Sequence, residues 1–253
     1  MKRKLGFSLV ELSIVLVILG LLVGGILAGK SLIRASELRA VGTEYHRYVT
    51  AVAAFRDKYF ALPGDMANAQ SFWGIAHATA ATCVTTIGTG TQTCNGDGNS
   101  RVTPSTGSNE SFRFWQHLVN AGLMEGAYEG VGTDPDTATL LNSPTSRLPG
   151  GLWYIGYWGT VAPGNAVTFA ATYDNAFELG AISANEHPRA ALLKPEELWN
   201  VDTKLDDGRP GYGKLIALRW NSCTDAADSA DLDSEYALTD TTIQCAVLFR
   251  RSL

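Results

Sequence analysis

The stretch Gly6-Phe7-Ser8-Leu9-Val10-Glu11-Leu12 lies between a basic run, Lys2-Arg3-Lys4, and an apolar run that continues to Gly29. From Phe7 to Gly29 every residue is apolar or small except Ser8, Glu11 and Ser13. A helix over residues 7–29 spans roughly 35 Å, enough for the hydrocarbon core of a bilayer. Three cations on its upstream flank predict a cytoplasmic N-terminus, with the rest of the chain on the far side. Glu11 breaks the apolar pattern. A carboxylate at the centre of a membrane helix is unfavourable by about 3 kcal/mol even on lenient insertion scales, so it marks a functional position. A suitable partner is the α-amine that a cut after Gly6 would free at Phe7. That amine lies about one turn away in the same chain, at the positive end of the helix dipole, and on a shifted neighbour it can approach Glu11 directly.

Within the same helix Gly20 and Gly24 are spaced i,i+4, as are Gly25 and Gly29. Such small-xxx-small faces let helix backbones approach closely. Each glycine also weakens the helix by about 1 kcal/mol, so local unwinding near Gly20 is expected outside the membrane. After Lys30 the pattern turns amphipathic. Leu38, Val41, Tyr45, Tyr48, Val52, Phe55 and Tyr59 alternate steps of three and four, which is one helical stripe. Arg34, Glu37, Arg39, Glu44, Arg47 and Arg56 are assigned to the other faces. The next stop signal is Leu62-Pro63-Gly64, so one helix of about 54 residues, near 80 Å long, is expected to Phe60. The stripe is expected to pack on a sheet rather than in a coiled coil, because it lasts only about three heptads.

The remainder reads as α+β. Asp65 is placed to cap a short helix through Trp73, residues 75–108 read as a long polar loop, and 109–121 as a second helix ended by Gly122. Strand-like runs lie at 152–158, 166–173, 177–182, 214–220 and 243–249, and Pro195 opens a short helix through Val201. Short turns between strands predict a small antiparallel sheet with helices on one face. Trp153, Ile155 and Tyr157 alternate with Tyr154 and Trp158, and core on both faces is the expected outcome. The four cysteines form two neighbouring pairs, Cys83 with Cys94 and Cys223 with Cys245. Three pairings exist, and the two local bridges are the expected ones in an exported chain.

The chain has 253 residues, 18% of them charged, and a net charge of −5, which makes it a poor general binder of nucleic acid. Its histidines, His46, His77, His117 and His187, fall in different elements, with no G-x-S-x-G, H-E-x-x-H or phosphate loop, so no enzyme is expected. Asn95-Gly96-Asp97-Gly98-Asn99-Ser100-Arg101 places side-chain oxygens at positions 1, 3 and 5, with the Arg101 carbonyl at 7, as in a calcium loop. It departs from that pattern at Ser100, where glycine is usual, and at Thr106, where a glutamate is usual. Glu110 is placed to reach back instead.

The segment from Gly6 to Leu12, with its basic leader, resembles the cleavage and methylation signature of type IV prepilins and type II secretion pseudopilins. An ordinary secretory signal would be cut near Ala28 or Gly29, and a plain anchor would have no use for Glu11. The resemblance implies that a prepilin peptidase removes a leader of residues 1–6, cutting between Gly6 and Phe7 and methylating Phe7. It also implies that Glu11 docks the neighbouring subunit. The expected layout is a transmembrane half-helix over 7–29, an amphipathic half over 30–60, and a globular head over 61–253. The implied function is that of a structural filament subunit, a pilin or pseudopilin. The alternative is a minor tip subunit whose head binds a surface, a secreted substrate or DNA. Implied partners are like or related subunits, the peptidase and an inner-membrane assembly platform. Before assembly the chain would cross the inner membrane once with a periplasmic head; afterwards it would lie in a periplasmic or extracellular filament. A second acidic turn, with Asp202, Asp206 and Asp207, resembles turns of pseudopilin and minor-pilin heads, some of which hold calcium. Lys204 and Arg209 are the alternative partners for those carboxylates. Many pilins carry a proline in the membrane helix, and this chain does not.

Overall fold

The computed structural model describes residues 8–103, 109–132, 137–184, 186–219, 221–251 and 253. Gly6 and Phe7 lie outside the described residues, as does Thr106. The chain divides into two compact units, Met1–Arg39 and Ala40–Leu253. Helix α1, Leu9–Tyr59, contributes to both. In the first unit residues 8–28 are exposed throughout. The helix is long and apolar enough to cross a membrane, and none of its apolar window is buried. It ends with Arg56 and Lys58 in its last turn, where cations favour the helix dipole. Phe60 follows with φ 54°, and then Pro63.

The second unit holds a four-stranded antiparallel sheet. Its strands are β1 (Gly151–Thr160), β2 (Thr172–Ala181), β3 (Leu215–Ala217) and β4 (Val247–Phe249), in spatial order β1-β2-β4-β3. Short helices accompany it: α2 (Gln70–Trp73), α3 (Ala80–Cys83), α4 (Glu110–Asn120) and α5 (Pro195–Leu205). A long N-terminal helix with a small antiparallel sheet and short helices is the α+β, pilin-like arrangement expected from the sequence.

Alternation along the strands gives the sheet two apolar faces. One face receives the stripe of α1. Tyr45 stacks on Phe249 of β4 at 4.3 Å between centroids. Tyr48 meets Trp153 of β1 edge-on at 5.4 Å, and Trp115 of α4 at 5.1 Å. Val41, Tyr48, Val52 and Phe55 are buried as the three-four spacing requires. On the other face Ile216 and Leu248 pack with Phe169 and Tyr173. Trp153, Tyr154 and Ile155 are buried, so this part of the run is core on both faces, while Tyr157 and Trp158 are half-buried.

Four expectations need correction. The run 166–173 supplies only Thr172 and Tyr173 to β2. Asn165 Oδ1 accepts the N–H groups of Val167 and Thr168, which bends the chain into a turn and leaves Phe169 to cover the sheet from below. The helix expected from Asp65 starts only at Gln70, with Ala69 at its N-cap and no side-chain cap. Strands β3 and β4 take only three residues each of the expected 214–220 and 243–249, and Cys245 bridges instead to Leu193. Finally, Glu44 is not on an outer face but buried. Its carboxylate accepts hydrogen bonds from Ser146 Oγ (2.7 Å), the Arg147 N–H (2.8 Å) and Trp153 Nε1 (2.7 Å). Disulfides join Cys83 to Cys94 and Cys223 to Cys245, with Cα separations of 5.8 and 4.9 Å.

Candidate functional site

Glu11 sits in the first turn of α1. Its Oε2 accepts the Ser8 N–H at 2.8 Å, while Ser8 Oγ accepts the Val10 N–H at 3.3 Å. Ser8-Leu9-Val10-Glu11 therefore works as a reciprocal cap at the helix start, a signal present in the sequence as S-x-x-E. Among the described residues nothing outside the helix itself crowds the four glycines of the apolar half. A Cβ built on Gly20, Gly24, Gly25 or Gly29 would meet no atom within 4 Å. The small faces are open to a neighbouring helix.

The calcium loop read from 95–101 is built differently. Asn95 Oδ1 accepts the Gln70 N–H of α2, and Asn99 Oδ1 accepts the Arg101 N–H. The Arg101 guanidinium lies over the Tyr157 ring at 4.7 Å. Asp97 is the member of that set with acidic company, because the fold brings it to Asp65 and Glu110, carboxylate oxygens of all three lying within 4.8 Å of one another. The close approach depends on Gly64. It has φ 80°, and a Cβ there would come within 2.3 Å of the Glu110 carbonyl oxygen. Asp65 accepts the N–H groups of Asn99 and Ser100, and Glu110 those of Asp97 and Thr103. Burial, the largest influence, pushes the Asp65 carboxyl up to about 6 and raises Glu110 as well. Every oxygen of Asp65 and Glu110 thus has a donor within the chain.

The second acidic turn keeps the set that the sequence named. Oxygens of Asp202, Asp206 and Asp207 lie within 4.8 Å of one another. Asp202, on α5, is fully buried. Its Oδ2 accepts Tyr236 Oη at 2.7 Å, while among the described residues its Oδ1 has no donor in hydrogen-bond geometry, the Gly208 N–H being the backbone donor directed at the carboxyl. Asp206 Oδ2 accepts the Lys214 and Leu215 N–H groups, and a Cβ on Gly213 would fall 1.8 Å from it. Arg209 does not neutralise the group: its guanidinium pairs with Asp233 at 2.6 Å. Burial first, with Asp207 and Asp206 adding repulsion, pushes Asp202 up to about 7. An orphaned buried oxygen beside two further carboxylates fits a hard, oxygen-ligated cation such as calcium.

Two histidines serve the core. His117 is buried and its Nδ1 accepts the Gly64 N–H at 3.0 Å; burial, then Arg113, lowers its pKa to about 3, so it is neutral. His187 Nδ1 bonds to the buried Glu178 carboxylate, and its ring stacks on Tyr154 at 5.4 Å.

Residues 1–27 match the prokaryotic N-terminal methylation motif. The chain therefore carries the signature of type IV pilins and pseudopilins at the head of its long apolar helix. No curated protein and no solved structure matches the chain.

Proposed function

We propose that this chain is a structural subunit of a type IV pilus-like or pseudopilus filament, cut between Gly6 and Phe7 and methylated on Phe7 by a prepilin peptidase. One observation carries the reading: the methylation motif coincides with a helix whose apolar window has no buried residue. Such a surface needs lipid before assembly and other helices after it. In the filament Glu11 would take the free amine of a neighbouring Phe7, and the Gly20/Gly24 and Gly25/Gly29 faces would admit neighbouring backbones. Before assembly the head lies in the periplasm, an oxidising compartment that suits two disulfides. The partners are like or related subunits, the peptidase and an inner-membrane platform. Mass spectrometry of the N-terminus, on protein from its native membranes, tests the reading. The expected species starts at Phe7 and carries one extra methyl group. A start near Lys30, or an intact Met1, overturns the proposal.

A further inference from the structure

Arg113, on α4, is a buried cation with no anion at ion-pair distance among the described residues. It is 1% exposed, and burial lowers its pKa only to about 10, which leaves it charged at neutral pH. Its Nη1 donates to Gln116 Oε1 at 2.8 Å, and its Nη2 to the carbonyl oxygens of Cys83 (3.1 Å) and Thr86 (2.8 Å). All of these acceptors are neutral. The remaining contact is sulfur: Nη2 lies 3.2 Å from Sγ of Cys94, one half of the Cys83–Cys94 bridge. Buried charges are usually held by opposite charges, because dipoles alone compensate poorly for lost hydration. Here the contacting group able to become an anion is Cys94, and it becomes one only when the bridge opens. A guanidinium at that distance favours thiolate over thiol.

Both cysteines are buried, Cys83 1% and Cys94 2% exposed, so any approach is through the groove they line. Cys83 and Cys94 line a groove of about 260 Å³ with Gln70, Ala80, Ala81 and Asp97. The Gln70 amide lies 3.6 Å from Cys83 Sγ. Among the described residues neither sulfur of Cys223–Cys245 has a polar donor beside it, and that, rather than burial, sets the two bridges apart.

We propose that Cys83–Cys94 is a thiol–disulfide exchange site, at which Cys83 takes an incoming thiolate and Cys94 departs as a thiolate held by Arg113. One thiolate of a dithiol reductant attacks Cys83 Sγ. The new sulfur–sulfur bond forms as the Cys83–Cys94 bond breaks, and the electron pair leaves on Cys94. The second thiolate of the reductant then attacks its own sulfur in the mixed disulfide, which releases Cys83 and leaves the reductant as a disulfide. Two electrons pass to the head, and an oxidised dithiol closes the bridge by the reverse steps. A leaving thiol of low pKa leaves faster, which directs attack to Cys83 rather than Cys94. The inference stands independently of the filament reading.

The test uses the full chain in detergent micelles, treated with graded dithiothreitol, quenched by alkylation and mapped by peptide mass. The Cys83–Cys94 bridge is expected to open at least about tenfold faster than Cys223–Cys245. Arg113→Met should slow that opening about tenfold, and Arg113→Lys should retain most of the rate. Because Arg113 is buried and its loss risks unfolding the head, a second measurement on the wild type decides. In the reduced protein, the pH dependence of alkylation should place Cys94 below the ordinary thiol value of about 8.5, and below Cys83. Equal or reversed opening of the two bridges, or a Cys94 that titrates at or above that value, overturns the assignment.

Discussion

The two oxygens of Asp202 have different fates, and the difference sets a pH dependence for the head. Oδ2 is held by Tyr236, while Oδ1 is buried beside Asp206 and Asp207 with no donor in hydrogen-bond geometry among the described residues. In the unfolded chain this carboxyl titrates near 3.9, whereas burial pushes it up to about 7 in the fold. Between those values the folded state binds more protons than the unfolded one. Stability contributed by Asp202 is therefore complete at low pH and is lost as pH rises through about 7. Asp65, raised to about 6, contributes with the same sign, so the Asp202 part is isolated by comparison with Asp202→Asn. In chelator the wild type should lose melting temperature between pH 5 and pH 8 more than Asp202→Asn does. Millimolar calcium at pH 8 should return about 4 °C or more to the wild type and nothing to the variant, as read by scanning calorimetry. An equal calcium response in both proteins would place cation binding away from Asp202.

At the scale of elements, what was legible in the sequence was what is local or periodic. The alternating steps from Leu38 to Tyr59 specify a buried helical stripe whatever it packs on, and the fold buries Val41, Tyr48, Val52 and Phe55. Glu44 lies three residues after Val41 and four before Tyr48, on that same side. Its partners stand 102, 103 and 109 residues away, so no local pattern could show that a carboxylate there would be satisfied. The acidic cluster at Asp97 is legible only in part, for the same reason. Asn95 and Asn99 are occupied by turns and caps, Glu110 reaches back to Asp97 as the sequence places it, and Asp65 arrives from a distant segment. The turn at Asn165 illustrates a further limit, because an apolar run reads alike whether it pairs as a strand or covers a sheet. Glu44 also shows how this part of α1 is fixed to the head. Glu44→Ala leaves the buried Trp153 indole N–H and the part-buried Arg147 N–H without their acceptor, and should destabilise the head by about 3 kcal/mol in urea denaturation. Glu44→Gln retains an acceptor and should lose less than half as much. A loss under about 0.5 kcal/mol for the alanine variant would mean that water replaces the carboxylate.

For the whole molecule the decisive residue is Glu11, because its role within one chain and its role between chains predict different outcomes. Within the chain it caps the helix through the Ser8 N–H, a bond whose loss is unfavourable by about 1 kcal/mol. Within the membrane the same carboxylate opposes insertion, by at most the ~3 kcal/mol that applies at a helix centre. Replacing it with leucine should therefore raise, not lower, the amount of subunit in the inner membrane. The cut proposed after Gly6 lies upstream of the change, so the processed N-terminus should still appear by mass. If Glu11 acts only as a cap, a Glu11→Leu subunit that is inserted and processed should also assemble, because the apolar helix surface is intact. If it receives the amine of a neighbouring Phe7, the variant should accumulate in the membrane and be missing from sheared filaments. The comparison of those two fractions, by immunoblot from one culture, separates the cases. Processed Glu11→Leu in filaments at the wild-type level would remove Glu11 from the docking contact and leave apolar packing, with the glycine faces, to hold the assembly together.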